Sequence, residues 1–190
     1  MAQNSANAFV ARTGAVYVAA QGAATAPTAV DSALDADLVD LGYISSDGLA
    51  EQYEVNSETV TAFQNGDTID SSITEATMTF EAVFIEPGNS DLAAEFYGDV
   101  VDTADGSVII SPGASSGRRV MVVDMIAGTK KIRFWIPEAE ITKNGDVQYQ
   151  NGQPVGFPVV VTCYPSATLT KLDGTSGSAK RWSSQLVVTP

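Results

Sequence analysis

Carboxylates are the most abundant groups in this sequence that could do chemistry. The chain of 190 residues has 23 Asp and Glu residues, one cysteine, Cys163, and no histidine. Without histidine, the common zinc sites and every histidine-dependent catalytic triad are excluded. A carboxylate pair for glycoside hydrolysis could be drawn from Glu81 with Glu138 or Glu140, but no spacing selects one pair. The sequence therefore predicts no catalytic residue.

Four aspartates in one segment, Asp31, Asp35, Asp37 and Asp40, suggest a calcium site. Their spacing lacks the glycine and the closing glutamate of an EF-hand loop. Neither GxxxxGK[ST] nor GxGxxG occurs, so no phosphate loop is indicated. Cys163 lies in an apolar segment, which favours a small buried residue over a reactive thiol. We therefore expect no cofactor and no bound metal.

The charges are unevenly distributed along the chain. Eighteen of the 23 acidic residues, but one of the ten basic residues, precede Arg118. Either the strands interleave and mix the charges in space, or the acidic part of one copy contacts the basic part of another, head to tail. In the second case the basic interface consists of Arg118, Arg119, Lys130, Lys131 and Arg133.

The segment 73–98 predicts a strand followed by the one clear helix. Apolar residues alternate with polar ones around Met78 and Phe80, and Pro87-Gly88 then ends the strand. Asn89 or Ser90 is suited to cap a helix that ends at Gly98. On this helix the predicted buried stripe is Leu92, Ala93, Phe96 and Tyr97, with Asp91, Ala94 and Glu95 turned away.

The rest of the chain reads as strands and turns of one domain, residues 1–190. Hairpins are indicated around Ala127-Gly128 and Lys143-Asn144-Gly145, and Pro137 is expected to end a strand. No basic leader with an apolar run and no bilayer-length segment is present, so a soluble protein is expected. The predicted strands are 15–20, 38–44, 107–110, 118–126, 129–136, 138–142, 146–150 and 156–164.

Three segments are expected to lie outside the packed sheet. They are an N-terminal arm over 1–14, an extended loop over 45–67 and a C-terminal arm over 167–190. The last of these contains Trp182 and a Leu-Val-Val run, so it is either a final strand or an arm that docks on a neighbour. Residues 49–67 of this loop carry four acidic residues and no basic residue, which favours ordering against a partner.

The order of these segments resembles a known family. The run VDLGYISSDGLAEQYEVNSETVTAFQNGD is followed by ITEATMTFEAVFIEP and DLAAEFYG, and later by RFWIPEAEITKNGDVQYQNG and GFPVVVTCYPS. This order, over Val16 to Ser166, resembles the major tail tube proteins of long, non-contractile-tailed bacteriophages, especially those that infect actinobacteria.

The resemblance implies a mainly β fold, a β-sandwich or half-barrel with one short flanking helix. It implies that six copies close into a ring around a continuous β-barrel and that the rings stack into a tube in the virion tail. DNA passes through this tube into the host without specific binding, and the other partners are tape-measure, tail terminator and baseplate proteins. Carboxylates in the lumen would repel phosphate.

In that family the loop after the LGYISSDGL run reaches the next ring. By position, the ring-stacking contacts expected here are Asp47, Glu51, Glu54, Glu58 and Phe63. Two other classes of function stay open at this point. One is a monomeric β-sandwich module that binds carbohydrate or protein, and the other is an enzyme with paired carboxylates.

Overall fold

A computed structural model describes residues 7–185 of the chain, and for residues 142–144 it describes the backbone alone. Its elements are β1 (Thr13–Ala20), β2 (Val39–Asp40), β3 (Ile44–Thr61), β4 (Thr68–Phe84), α1 (Ser90–Tyr97), β5 (Arg119–Ala127), β6 (Lys130–Asn144), β7 (Phe157–Cys163), β8 (Ser166–Thr170), β9 (Ser176–Gly177) and β10 (Lys180–Ser183).

Eight of the strands form one antiparallel sheet. Its order is β2-β1-β5-β6-β7-β4-β3, with β10 paired to β6, while β8 and β9 form a separate small hairpin. The sheet curls so that side chains from β1, β4, β5, β6 and β7 meet in one core, which includes Val16, Phe84, Val123, Phe134 and Val161. The predicted mainly β fold with one short helix is confirmed.

Helix α1 begins and ends where its sequence signals lie. The Asn89 side chain accepts hydrogen bonds from the N–H groups of Asp91 and Leu92, and Gly98 adopts the left-handed C-cap conformation at φ 71°. Phe96 stacks on Phe157 of β7 with ring centroids 4.7 Å apart, so the helix closes one end of the core.

Glu95 was wrongly expected to face solvent. It is 8% exposed and its carboxylate accepts a 2.7 Å hydrogen bond from the Arg119 guanidinium, which ties α1 to the first residue of β5. A buried acid on a short helix is stabilised by such a partner.

Strand β6 continues through Pro137 instead of ending there. Met121 lies opposite Ile136 and Arg119 lies opposite Ala139, so Pro137 and Glu138 together face the single residue between them on β5, Val120. This is a β-bulge, where the missing proline N–H leaves no ladder bond broken. On the other edge β6 changes partner at the same place, from β10 before the bulge to β7 after it.

The bulge divides the outer face of the sheet into two halves. The covered half is β1, β5 and residues 130–136 of β6, where Val122 and Trp135 are buried. Residues of the 21–38 loop, including Leu34 and Leu38, pack there together with Trp182. The bare half is residues 139–144 of β6 with β7, β4 and β3.

The loop expected over 45–67 is largely strand. Ser45 to Thr61 belong to β3, which pairs with β4 from Ile44↔Phe84 to Thr61↔Thr68, with irregularities at 45–48 and near Asn56 and Val60. Asn65 and Gly66, with φ 61° and 70°, form the turn between them. The predicted strand 38–44 is reduced to Val39–Asp40, and segments 107–110 and 146–150 are not strands.

The described parts of both expected arms contact their own domain. At the N-terminal end, β1 begins at Thr13, and Phe9 packs against the core. Strand β10 pairs with Ile132–Trp135 of β6, and Ser184 N–H donates to the Lys131 carbonyl. Residues 1–6 and 186–190 lie outside the described part of the chain.

Candidate assembly surfaces

The outer face of the bare half is mainly polar along the strand pairs from Glu54 to Glu81. Residues directly opposite each other in an antiparallel pair point to the same side. One row therefore joins Glu140, Thr162, Thr79 and Gln52 across four strands. The polar and acidic residues of the strand pairs on this side are called the acidic face, and the same side also carries the apolar Ala50, Val83, Pro158 and Val160. The acidic face is Gln52, Glu54, Asn56, Glu75, Thr77, Thr79, Glu81, Glu140 and Thr162.

The acidic face is negatively charged, with hydrogen bonds among its own side chains. Gln52 donates to the Glu81 carboxylate at 2.8 Å and Asn56 donates to that of Glu75 at 3.3 Å. Glu140 accepts from the Ser115 hydroxyl at 2.8 Å and lies 3.7 Å from the Arg118 Nε. Among the described strand pairs, the backbone register places one basic residue in these rows, Lys143 opposite Val160.

The bare half has free backbone edges on both sides. β3 pairs with β4 along one edge, and no strand of the described chain pairs with the other. On the opposite side, β5 stops at Arg119 opposite Ala139, so residues 140–144 of β6 have no strand partner on that edge. Free edges are ready to pair with another chain.

The β3–β4 hairpin extends well beyond the rest of the sheet. β7 ends at Cys163, opposite Met78, while β4 continues down to Thr68. These ten residues span roughly 34 Å at about 3.4 Å per residue. The overhang is exposed on both faces, with Phe63 fully exposed at its end.

The five residues predicted to stack rings are distributed along the whole of this hairpin. Asp47 lies at the irregular start of β3 and Phe63 in the distant turn. Glu54 belongs to the acidic face, whereas Glu51, opposite Phe80, lies on the core side and accepts a hydrogen bond from the Tyr53 hydroxyl. This hydrogen bond is the largest cause of a raised pKa at Tyr53, and burial is the second. Together they raise the pKa of Tyr53 to about 12. Glu58 lies on the overhang, opposite Ser72.

Two of the five predicted interface cations, Lys131 and Arg133, form ion pairs in one buried cluster of the covered half. Arg133 is 2% exposed and its guanidinium donates to both oxygens of Asp124, at 2.7 and 2.8 Å. Lys131 Nζ lies 2.8 Å from the same carboxylate. Arg133 also donates to the Ser32 carbonyl at 2.6 Å and thereby holds the 21–38 loop on the sheet. Arg133 therefore stabilises the fold and has no free surface.

The other three predicted cations are also engaged within the chain. Arg119 binds Glu95, and Lys130 donates to the Ala8 carbonyl at 2.8 Å. Arg118 lies over the Tyr164 ring at 3.2 Å from its centroid. The structure does not gather these five residues into one exposed basic surface.

Sequence reasoning missed the cations that are exposed. Lys171, Lys180 and Arg181 lie on or beside β8 and β10, are exposed, and take part in none of the four ion pairs found among residues 7–185. Lys180 lies 4.9 Å from the Trp182 ring centroid. The nearest sequence signal was the Lys-Arg-Trp run in the expected C-terminal arm.

The residues weighed for chemistry have structural roles. Burial, more than the nearby Glu51 charge, raises the pKa of the Cys163 thiol to about 12, which confirms it as a buried residue. Asp35 accepts hydrogen bonds from the N–H groups of Thr25 and Asp37, the first of which contributes most to lowering its pKa. Within residues 7–185 no group of three or more His, Cys, Asp or Glu side chains could hold a metal ion. No helix in that range has the length and apolarity to cross a membrane.

Comparison with known proteins agrees with this architecture. A family model described as phage tail tube protein matches residues 1–173 of the 190. No curated protein sequence matches the chain. The matched family is one of structural proteins of the virion tail, not of enzymes, and its members assemble into a tube with other tail proteins. Because the match spans nearly the whole chain, this chain belongs to the phage tail tube protein family.

Proposed function

We propose that six copies of the chain close into a ring, that rings stack into the tail tube, and that the acidic face lines the conduit for DNA. One observation carries this proposal. The bare half combines an uncovered acidic face with a free strand edge on each side, whereas the outer face of the covered half is buried. A monomer gains nothing from such an arrangement, because free strand edges favour aggregation and carboxylates gathered on one face repel one another.

Ring closure joins the free edge of β3 in one copy to the free edge of residues 140–144 of β6 in the next. The two edges differ, so the contact is heterologous and closes only when rotation completes a circle. Four strands per copy give a barrel of about 24 strands in a hexamer, and a closed barrel has no free edge.

The lumen of this barrel would be lined by the acidic face. Each copy contributes four carboxylates, those of Glu54, Glu75, Glu81 and Glu140. Protein–DNA affinity depends on cations that neutralise phosphates, and the backbone register gives this face one for its four carboxylates, at Lys143. DNA is therefore repelled from the wall and passes through without being held.

Stacking along the tube axis would use the overhang of the β3–β4 hairpin. The overhang is acidic and exposed on both faces, and it ends in the fully exposed Phe63. An exposed aromatic residue at the tip of such a segment is suited to contact the next ring. Glu54, Glu58 and Phe63 remain the proposed contacts of this hairpin, with Asp47 and Glu51 at its base. Tape-measure, terminator and baseplate proteins would act at the ends and in the lumen of the tube.

The test is direct observation of assembly. Purified protein at increasing concentration is examined by negative-stain electron microscopy and analytical ultracentrifugation, alone and with tail extract as a source of initiator. Class averages viewed along the tube axis are expected to show six subunits around an open lumen. A particle with another symmetry would refute the hexamer, and a monomer under both conditions would refute self-assembly into a tube.

A further inference from the structure

A gap in the sheet lies between β10 and the hairpin overhang. β7 ends at Cys163, and beyond that point β6 pairs with β10 while β4 keeps β3 as its one partner. The edge of β10 that faces away from β6 and the 68–77 edge of β4 have no strand partner within residues 7–185. The sheet therefore contains a position for one more strand, called the slot.

The slot is a groove of roughly 370 Å³ between these two edges. Ala76, Thr77 and Met78 line it on the hairpin side and Ala179 and Arg181 on the β10 side, with buried Phe134 also in its wall. Tyr53 and Val55 also line it, although each is more than half exposed. Apolar side chains in an open groove with free backbone edges indicate a missing occupant.

The slot is also the place where exposed positive charge collects. Lys171 and Arg181 lie in its wall, and Lys180 is adjacent. An extended segment flanked by carboxylates would therefore suit it better than a neutral or basic one.

A segment with these properties lies in the loop that joins α1 to β5. Ser107-Val108-Ile109-Ile110 has strand-forming residues but pairs with no strand within the described chain. Ile109 is 76% exposed and Ile110 is 61% exposed. Asp102 and Asp105 precede it in a turn held by hydrogen bonds from the Ala104 and Ser107 N–H groups, so acidic side chains lie at one end of the apolar segment.

The loop and the slot lie on opposite sides of β6. The loop leads into β5, which pairs with one edge of β6, whereas β10 pairs with the other edge. Residues 107–110 line no part of the slot of their own chain. In a head-to-tail stack different surfaces of successive copies meet, so an adjacent copy can supply the segment.

We propose that residues Ser107–Ile110 of a copy in one ring insert as a strand between β10 and β4 of a copy in the adjacent ring. This inference rests on the proposed function and adds a second contact between rings, beside the hairpin. Ile109 or Ile110 would cover Tyr53, Val55 and Phe134, and Asp102 or Asp105 would lie near Lys171 and Arg181.

The first experiment removes the apolar anchors of the inserted strand. Ile109→Asn with Ile110→Asn changes exposed side chains, so monomer stability and ring formation should be unchanged. Burial of an isoleucine corresponds to roughly 10- to 100-fold in affinity, so ring-to-ring association should weaken by at least that factor. Val100→Asn is the matched control, because Val100 is 82% exposed in the same loop but outside the strand.

The second experiment locates the partner surface. Ile110→Cys combined with Ala179→Cys should give, on mild oxidation of tubes, a ladder of disulfide-linked chains, because each copy links to the next ring. Either single variant should stop at the monomer. Arg181→Glu should shorten tubes, and Arg12→Glu, an exposed cation outside the slot, should not.

The outcomes separate the two proposals. Rings that stack equally well with Ile109→Asn and Ile110→Asn would overturn the strand insertion and leave the ring model intact. Cross-links within isolated rings would also overturn it. If deletion of residues 186–190, and not the isoleucine changes, abolished stacking, the slot would belong to the chain's own C-terminal end. Failure of the unmodified protein to form rings would refute the proposed function itself.

Discussion

The covered and bare halves of one sheet use charge in opposite ways. In the covered half Asp124 is buried and satisfied by Arg133 and Lys131, under a loop that those contacts hold in place. In the bare half Glu54, Glu75 and Glu81 lie on an open face with amide and hydroxyl neighbours. The first arrangement stabilises the monomer, and the second fits the proposed assembly.

The difference shows how position, more than residue type, decides what a charge does. The same outer face changes role at the bulge of β6, because covering elements are present on one side and absent on the other. Substitutions on the two sides should therefore separate effects on folding from effects on assembly.

The largest contrast is expected at adjacent residues of β7. Cys163 faces the core and Thr162 faces outward. Burial raises the pKa of Cys163 to about 12, which lowers its thiolate fraction at pH 8, and the higher nucleophilicity of a more basic thiolate offsets part of that loss. Cys163 should therefore react with a thiol reagent at least roughly 10-fold more slowly than the new thiol of Thr162→Cys in a Cys163→Ala background. Equal rates would contradict the burial of Cys163.

The same thiol predicts a pH dependence of stability. Because the pKa of Cys163 is raised in the folded state, its neutral thiol contributes fully to the free energy of unfolding below about pH 9. This contribution is lost as the pH rises toward 12. Urea unfolding of the wild-type chain between pH 8 and 11 should show a steeper fall in the free energy of unfolding than that of Cys163→Ala.

Breaking the buried cluster should strongly destabilise the covered half. Arg133→Met leaves the Asp124 carboxylate with Lys131 alone and frees the 21–38 loop, so a loss of about 3 kcal/mol is expected in the free energy of unfolding. Chemical denaturation measures it. Arg181→Met is the control, because this exposed arginine is in no ion pair found among residues 7–185, and its effect should stay within about 0.5 kcal/mol.

A pair of valines on the same face tests whether covering elements set the cost. Val122 is 0% exposed in the covered half, so Val122→Ala leaves a cavity that the covering residues close only in part. We expect the free energy of unfolding to fall by about 2 kcal/mol. Val160→Ala, in the half-exposed rows of the bare half, should cost less than about 1 kcal/mol in the same urea titration. Equal costs would show that the outer face of the bare half is covered in the monomer.

The smallest effect on the monomer is expected on the hairpin. Glu54→Lys with Glu58→Lys should change the free energy of unfolding by no more than about 0.5 kcal/mol, because both side chains are exposed. Tube length in electron micrographs should nevertheless fall, since these carboxylates lie where rings are proposed to meet. Tubes of unchanged length would remove both residues from the stacking contact, whereas an unfolded variant would refute their surface role.

Local signals in the sequence predicted the elements that depend on local physics. The caps at Asn89 and Gly98 each act through backbone groups within four residues, so α1 was placed correctly. Strand β7 was also found, because its core-facing residues are apolar and two of its outward residues, Pro158 and Val160, are apolar as well, which leaves a nearly continuous hydrophobic run.

Features that depend on distant partners were missed. The hairpin overhang has no hydrophobic period, because neither of its faces is buried in the monomer, so it resembled a loop. The Asp124–Arg133 pair could have been found by counting outward from the Gly128 turn, which places these residues opposite each other. To predict the acidic face, the register of β6 against its neighbours must be known, and the Pro137 bulge shifts that register by one residue.

The bulge at Pro137 also has a mechanical consequence. β6 is the strand that runs through both halves, with β5 and β10 beside its first part and β7 beside its second. In the proposed tube, bending would tilt the outer layer of each subunit against the barrel wall, and β6 would be the tie between them. Because Pro137 donates no backbone hydrogen bond, a hinge there would allow that tilt without breaking a ladder bond.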